Sequence, residues 1–188
     1  MGKIYERIDA RLAEWIEAQP VFFVATAPLA ADGLVNLSPR GLRGTFRVLG
    51  ERTFGYADLT GSGIETVAHL RENGRICVLL CAFGGPPKIV RLHGTGSVVR
   101  RGEPGFAAAL RPFAAALGVG ARETAARAVV RVDVHRVSDA CGFGVPLMDL
   151  RAERDLLDSW AANRGPDGVA RYHAERNAVS LDGLPGMG

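Results

Sequence analysis

The segment Tyr56-Ala57-Asp58-Leu59-Thr60-Gly61-Ser62-Gly63-Ile64-Glu65-Thr66-Val67 holds the residue types best suited to a ligand. A strand-like stretch ends, a loop of small residues follows, and a helix pattern begins. The first turn of a helix leaves backbone N–H groups free, and its dipole is positive there, which favours a phosphate. The same residues support another reading. Ser62-x-x-Glu65 has capping-box spacing, with Ser62 capping the helix and Glu65 reaching back to its amide. Such a box satisfies the donors internally, and its carboxylate repels an anion. The segment alone leaves both readings open. Ser38-Pro39-Arg40-Gly41 adds weight to the phosphate side. Arg40 falls at a predicted strand end, and a guanidinium suits bidentate phosphate binding. A surface-turn arginine is its alternative.

The remaining reactive residues point to no catalytic group. Cys77 and Cys81 fall in one predicted strand, where four positions span roughly 13 Å, beyond disulfide or shared-ligand reach. They read as core cysteines, and Cys141 has no neighbouring base in sequence. His69, His93, His135 and His173 are scattered. Glu65 and His69, four apart, read as a solvated helix pair. No G-x-S-x-G, H-E-x-x-H or Walker sequence occurs, and Gly94-x-Gly96 lacks the third glycine of a dinucleotide fingerprint.

The elements that must position these residues follow from periodicity. Ile4, Ile8, Leu12, Trp15 and Ile16 predict an amphipathic helix over 3–18, closed by Pro20. Residues 21–27 predict a central strand and 34–37 an extended run, with 38–44 a glycine-rich basic loop. Strands are expected at 46–49 and 53–59, then a helix from about 64 to 73. An apolar strand over 76–83 and a long strand over 88–101 come next, followed by a helix over 103–117 and an alternating strand over 128–137. Helix is expected again at 149–162 and 169–176, with an irregular tail from Asn177. This pattern makes a mainly β fold of six or seven antiparallel strands with peripheral α-helices, closer to a small barrel than to a doubly wound sheet. It divides into an N-terminal helix (1–20), a barrel domain (21–145) and a C-terminal helical extension (146–188).

Composition bounds the remainder. The chain has 188 residues, 47% hydrophobic and 23% charged, enough to bury one core. The net charge is +3, and all but two of the 23 basic residues are arginine, the exceptions being Lys3 and Lys88. That balance, without a basic run, does not imply nucleic acid. No apolar run approaches the ~20 residues of a membrane span, and no signal-peptide stretch opens the chain. Three cysteines, an odd number, fit a reduced chain, and a cytoplasmic location is expected.

Asn36-Leu37-Ser38-Pro39-Arg40-Gly41, the Tyr56–Thr66 segment leading into His69-Leu70-Arg71-Glu72-Asn73-Gly74-Arg75, and Lys88–Gly94 together resemble the pyridoxamine 5′-phosphate oxidase-like, FMN-binding split-barrel superfamily. The resemblance runs from about residue 17 to 137 and is to branches other than the oxidase itself. It implies a six-stranded antiparallel split β-barrel, a homodimer, and FMN in the grooves between subunits. It implies that Ser38, Arg40 and Gly41 contact the flavin or its phosphate, that Thr60, Ser62, Gly63 and Thr66 contribute donors, and that Lys88 and Arg91 are offered by the partner subunit. The activity implied is flavin-dependent oxidoreduction of a small organic substrate. The superfamily's alternatives are a deazaflavin-dependent reductase and a non-catalytic flavin- or haem-binding protein. Where the oxidase carries adjacent basic residues at the helix start, this chain has Glu65 and Thr66. The oxidase's C-terminal tryptophan–arginine pair has no convincing counterpart.

Overall fold

The computed structural model describes residues 2–118 and 120–188. The chain opens with a two-residue strand β1 (Ile4–Tyr5) and helix α1 (Ala10–Glu17). Strands β2 (Val21–Thr26), β3 (Asn36–Gly41), β4 (Phe46–Gly50) and β5 (Thr53–Leu59) follow, then helix α2 (Glu65–Glu72). Strands β6 (Arg75–Cys81) and β7 (Ile89–Arg100) lead to three short helices, α3 (Phe106–Leu110), α4 (Ala114–Leu117) and α5 (Ala121–Ala125). The fifteen-residue strand β8 (Ala126–Ala140) and helix α6 (Leu156–Arg176) complete the order.

The sheet is antiparallel throughout, in the order β3-β2-β6-β7-β8-β5-β4, with β1 pairing the end of β8. Its two edge strands, β3 and β4, are consecutive in the chain and joined by residues 42–45 alone. Five Cα–Cα steps reach at most about 19 Å. A flat sheet of seven strands would hold its edges about 29 Å apart. The sheet must therefore roll up until its edges approach, which is the split barrel. Its count is seven strands plus the short β1, against the six of the family pattern.

Alternation fills the barrel. Phe22 and Val24 of β2, Phe54 and Tyr56 of β5, Val78 and Leu80 of β6, and Val90 and Leu92 of β7 are all fully buried. Phe22 sits at the centre of an aromatic cluster, with ring centroids 4.7 Å from Phe46, 5.6 Å from Phe54 and 5.2 Å from Tyr56. Leu12 and Ile16 of α1 join the same core. Gly94 and Gly96, which carry no dinucleotide motif, are packing positions. A Cβ on Gly94 would lie 2.3 Å from the Asp133 carbonyl at a β-bulge, and one on Gly96 2.7 Å from Leu70. That second gap is where α2 beds onto β7.

Several expected boundaries move for local reasons. Residues 3–9 are not helical, because the Asp9 carboxylate accepts from the Leu12 N–H and starts α1 at Ala10. The N-terminal helix of region 1–20 is therefore Ala10–Glu17. Ser38–Gly41 is strand rather than loop, and Pro39 is tolerated there because β3 is an edge. The helix expected over 103–117 is divided by a 3₁₀ turn, Arg111–Phe113, that contains Pro112. The last helix begins at Leu156 rather than 149 and is broken at Gly165, whose φ is 65°. Phe22→Ala should lower unfolding free energy by about 3–5 kcal/mol in urea titrations, the range for a large aromatic deleted from a core. A loss below about 1 kcal/mol would place the barrel centre elsewhere.

Candidate functional site

Asp58, on β5, is completely buried, and so is Arg127 on the neighbouring strand β8. Arg127 Nε donates to Asp58 Oδ2 at 2.8 Å. On the other side, Arg40 Nη2 approaches Asp58 Oδ1 at 3.4 Å. Burial pushes the Asp58 carboxyl up, but the guanidiniums of Arg127 and Arg40 outweigh it and hold the group below the usual carboxylate range. Burial acts against the Arg40 charge, and Asp58 more than restores it. The Tyr56 hydroxyl, buried beside Arg40, is left without a hydrogen-bond partner, and burial raises its pKa well above the phenol range. The triad of two guanidiniums and one carboxylate keeps one net positive charge. Arg40 is its one member with an exposed edge, at 21% of the side chain.

The loop between β5 and α2 is fixed from behind. Arg127 Nη1 donates to the Gly61 carbonyl at 3.1 Å and to Asn177 Oδ1 at 2.9 Å, and Asn177 Nδ2 donates to the Gly61 carbonyl at 3.0 Å. Thr60 donates its hydroxyl to the Ala125 carbonyl at 2.6 Å and lies 2.8 Å from His173 Nε2. With that proton committed, Nε2 carries the imidazole proton and donates to Thr60. Thr60 is thus a structural anchor in this chain. The capping box does not form. Helix α2 starts at Glu65, Ile64 occupies the cap position, and no side chain caps it. Glu65 is therefore the first helical residue, not the third, and cannot reach back as a box requires. Its carboxylate instead folds over Gly63, where a Cβ would meet Oε2 at 2.4 Å. Ser62 is exposed.

Thr66, in the first turn of α2, joins the helix to β3. Its hydroxyl accepts from Asn36 Nδ2 at 3.0 Å and from Arg40 Nη2 at 3.4 Å. Asn36 also donates to Thr26 at 3.0 Å and accepts from Ser38 at 2.7 Å. Thr26 Oγ1 lies 3.0 Å from His69 Nδ1. His69 is completely buried, so Glu65 and His69 are not a solvated pair; His69 Nε2 points toward Asp182 of the C-terminal tail, 3.8 Å away. Ser38, Arg40 and Thr66 thus lie in one connected network, and Gly41 lines the same cleft as Arg40. That cleft, about 310 Å³, runs between β3 and the C-terminal segment carrying Leu150, Glu153 and Leu157.

Two expected residues lie elsewhere. Arg40 pairs in register with core residue Phe22 and so projects to the inner side of the sheet. Arg91 pairs with Leu79 and alternates with buried Val90 and Leu92, so it projects outward. Lys88 lies over the rings of Tyr5 and Trp15, in a separate cavity. Within one chain neither reaches Arg40. Sequence reading missed Asn36, Asp58, Arg127 and Asn177. A lone acid in the β5 run and a lone arginine inside Ala125–Val130 were the available signals, since an isolated charge in an apolar strand needs a buried partner.

His173 generates a pH dependence. Burial, then the charges of Arg127 and Arg101, push its pKa down to about 4. The unfolded chain, with an ordinary imidazole, takes up a proton first on acidification, so this stability is complete above about pH 6.5 and is lost as pH falls toward 4. Thermal melts should lose a few degrees more between pH 7 and 5 than His173→Gln does. Equal slopes would remove His173 from the account.

Residues 8–141, which carry strands β2 to β8 and the network residues Asn36, Arg40, Asp58, Thr66 and Arg127, match the family model described as pyridoxamine 5′-phosphate oxidase. The whole chain aligns over 203 positions, at 38% identity, with the pyridoxamine 5′-phosphate oxidase family protein ustO of Aspergillus flavus, covering 78% of that protein. Among solved structures, HupZ of Group A Streptococcus is similar over 71% of this chain and 94% of its own, with a TM-score of 0.54 and 22% identity. The conserved hypothetical protein Rv2991 of Mycobacterium tuberculosis is similar over 77% and 92%, with a TM-score of 0.50 and 17% identity. Those structures agree with the rolled antiparallel sheet. With the family match covering most of the sequence and a relative aligned along all of it, the chain belongs to the pyridoxamine 5′-phosphate oxidase family.

Proposed function

We propose that the protein is an FMN-dependent oxidoreductase acting on a small organic substrate, with the flavin phosphate held at Arg40 and the start of α2. The observation that carries this reading is the Arg40 guanidinium. It is buried except at one edge, pinned by Asp58, and bonded to Thr66 in the uncapped first turn of α2. A pinned cation beside free helix N–H groups is the arrangement an anion requires, and among the described residues no side chain supplies the cap. Family membership supports a flavin as the carrier of that anion.

The residues fit the phosphate with one adjustment. Glu65 lies over Gly63, so an anion entering there meets a carboxylate that must swing outward. Ser62 and Gly63 then border the phosphate, Arg40 and Thr66 donate to it, and Ser38 and Gly41 line the approach. A bound flavin supplies hydride transfer, which no side chain here can perform. The chain binds it, orients it and, through the Arg40–Asp58–Arg127 triad, sets the electrostatics around it. Thr60 acts behind the loop, through Ala125 and His173.

A homodimer completes the reading. The outward face of the sheet carries Phe23, Leu79 and Arg91, all part-buried in one chain, and Leu37, 67% exposed, at its edge. A second copy covering that face would bring Arg91 to the flavin of its neighbour. Purified protein should show flavin absorbance near ~450 nm that bleaches with reductant and recovers in air. Arg40→Ala should weaken FMN binding by about 1.5–3 kcal/mol, the scale of a charge-assisted bond, and Glu65→Gln should tighten it. Titration by flavin fluorescence checks both. An unchanged dissociation constant in folded Arg40→Ala overturns the assignment.

A further inference from the structure

A second cavity, larger than the Arg40 cleft, lies apart from it. It measures about 780 Å³ and lies between the N-terminal segment, α1 and the turn before β7. That volume falls within the range of small-molecule sites. Its lining has a definite chemistry. Lys3, Arg11, Arg43 and Lys88 converge on it from four different parts of the chain. None of these four forms an ion pair with a carboxylate among the described residues. The one acidic residue in the lining, Asp9, is engaged in capping α1 through the Leu12 N–H at 2.8 Å. The cavity is therefore net positive, and the carboxylate nearest to Lys3 and Lys88, Asp139, is held at its margin by the Lys3 N–H and the Tyr5 hydroxyl.

Flat apolar surface lies beside that charge. The Lys88 ammonium sits 5.0 Å from the Trp15 ring centroid and 5.4 Å from that of Tyr5, and the Lys3 ammonium 4.7 Å from Tyr5. Both rings are only part-buried. The Tyr5 hydroxyl is turned away and donates to Asp139 at 2.5 Å, so the ring presents its apolar body. Burial and the Asp139 carboxylate push the Tyr5 pKa up to about 12, so the phenol adds no negative charge at neutral pH. Aromatic rings favour a planar apolar partner beside them, and the ammoniums that lie over these rings favour a carboxylate or similar anion on it.

We infer that this cavity binds a small planar aromatic anion, packed beside Trp15 and Tyr5 with its carboxylate on the Lys88 ammonium that lies over their rings. The site is distinct from the Arg40 cleft, with which it shares only Pro20 and Leu150 at a common rim. Binding there does not rest on the flavin reading.

The test uses the full-length protein carrying Trp160→Phe, so that Trp15 is its one tryptophan. The probes are 2-naphthoate and its neutral analogue 2-naphthamide, read by Trp15 emission in flavin-free protein. Naphthoate should quench saturably, naphthamide should bind at least tenfold more weakly, and raised salt should weaken naphthoate. Lys88→Met should weaken naphthoate at least tenfold without lowering the melting temperature, while Arg40→Ala leaves it unchanged. Equal binding of the two probes, absence of saturable quenching into the millimolar range, or an unchanged constant in Lys88→Met would each overturn the proposal. Competition by FMN would overturn the assignment of a separate site. Flavin binding is read separately by its visible spectrum, so failure of the flavin reading leaves this result standing.

Discussion

The buried carboxylate of Asp58 is the constraint on which the rest of the structure turns. A lone carboxylate inside a barrel of Phe, Tyr and Val would cost several kcal/mol in lost hydration. Arg127 offsets that cost, and its remaining N–H groups must then be satisfied too. They are satisfied by the Gly61 carbonyl and by Asn177, from the far end of the chain. The second Asp58 oxygen faces Arg40. One carboxylate thus fixes β5 against β8, holds the loop before α2, recruits the C-terminal region and sets the position of the one partly exposed guanidinium. Removing a partner from such a pair leaves a buried charge uncompensated, which makes the arrangement rigid as well as specific.

The rolled sheet brings these parts within reach. Strands β3 and β5 are not neighbours in the sheet order, yet Arg40 and Asp58 meet because the short 42–45 connection forces the edges together. Helix α2 then bridges the inside of β3 through Thr66 and Asn36, seated on β7 where Gly96 makes room for Leu70. The C-terminal segment is a structural participant, not an appendage. His173 supports Thr60, Asn177 supports Gly61, and the backbone carbonyls of the last residues accept from Arg71 and Arg100.

Much of this was legible in the sequence because it rests on local periodicity. The alternation of 128–137 and the apolar run of 76–83 mark β8 and β6, while Ser38, Arg40 and Thr66, which the family resemblance names, lie in one network. The failures have a common cause. The Ser62-x-x-Glu65 spacing is satisfied on paper, but the helix begins three residues past Ser62, so the register of the first turn decides the outcome. Glu65 and His69 have the spacing of an exposed pair, while α2 is enclosed by the barrel and the tail and His69 is wholly buried. Asp58, Arg127, Asn36 and Asn177 form one network only after residues up to 141 positions apart are brought together, and no window along the chain contains that information. Lys88 and Arg91 illustrate the converse: sequence order placed them on one strand, and the pleat and the turn sent them to different surfaces.

The central claim is that the triad fixes Arg40 as the seat of a phosphate. Comparing FMN with riboflavin isolates that group, since the two share ring and ribityl chain. Isothermal titration of the wild-type protein should give FMN at least tenfold tighter than riboflavin, with the ratio collapsing in Asp58→Asn, a residue that would touch neither ligand. Equal affinities for the two flavins in the wild type would contradict the account.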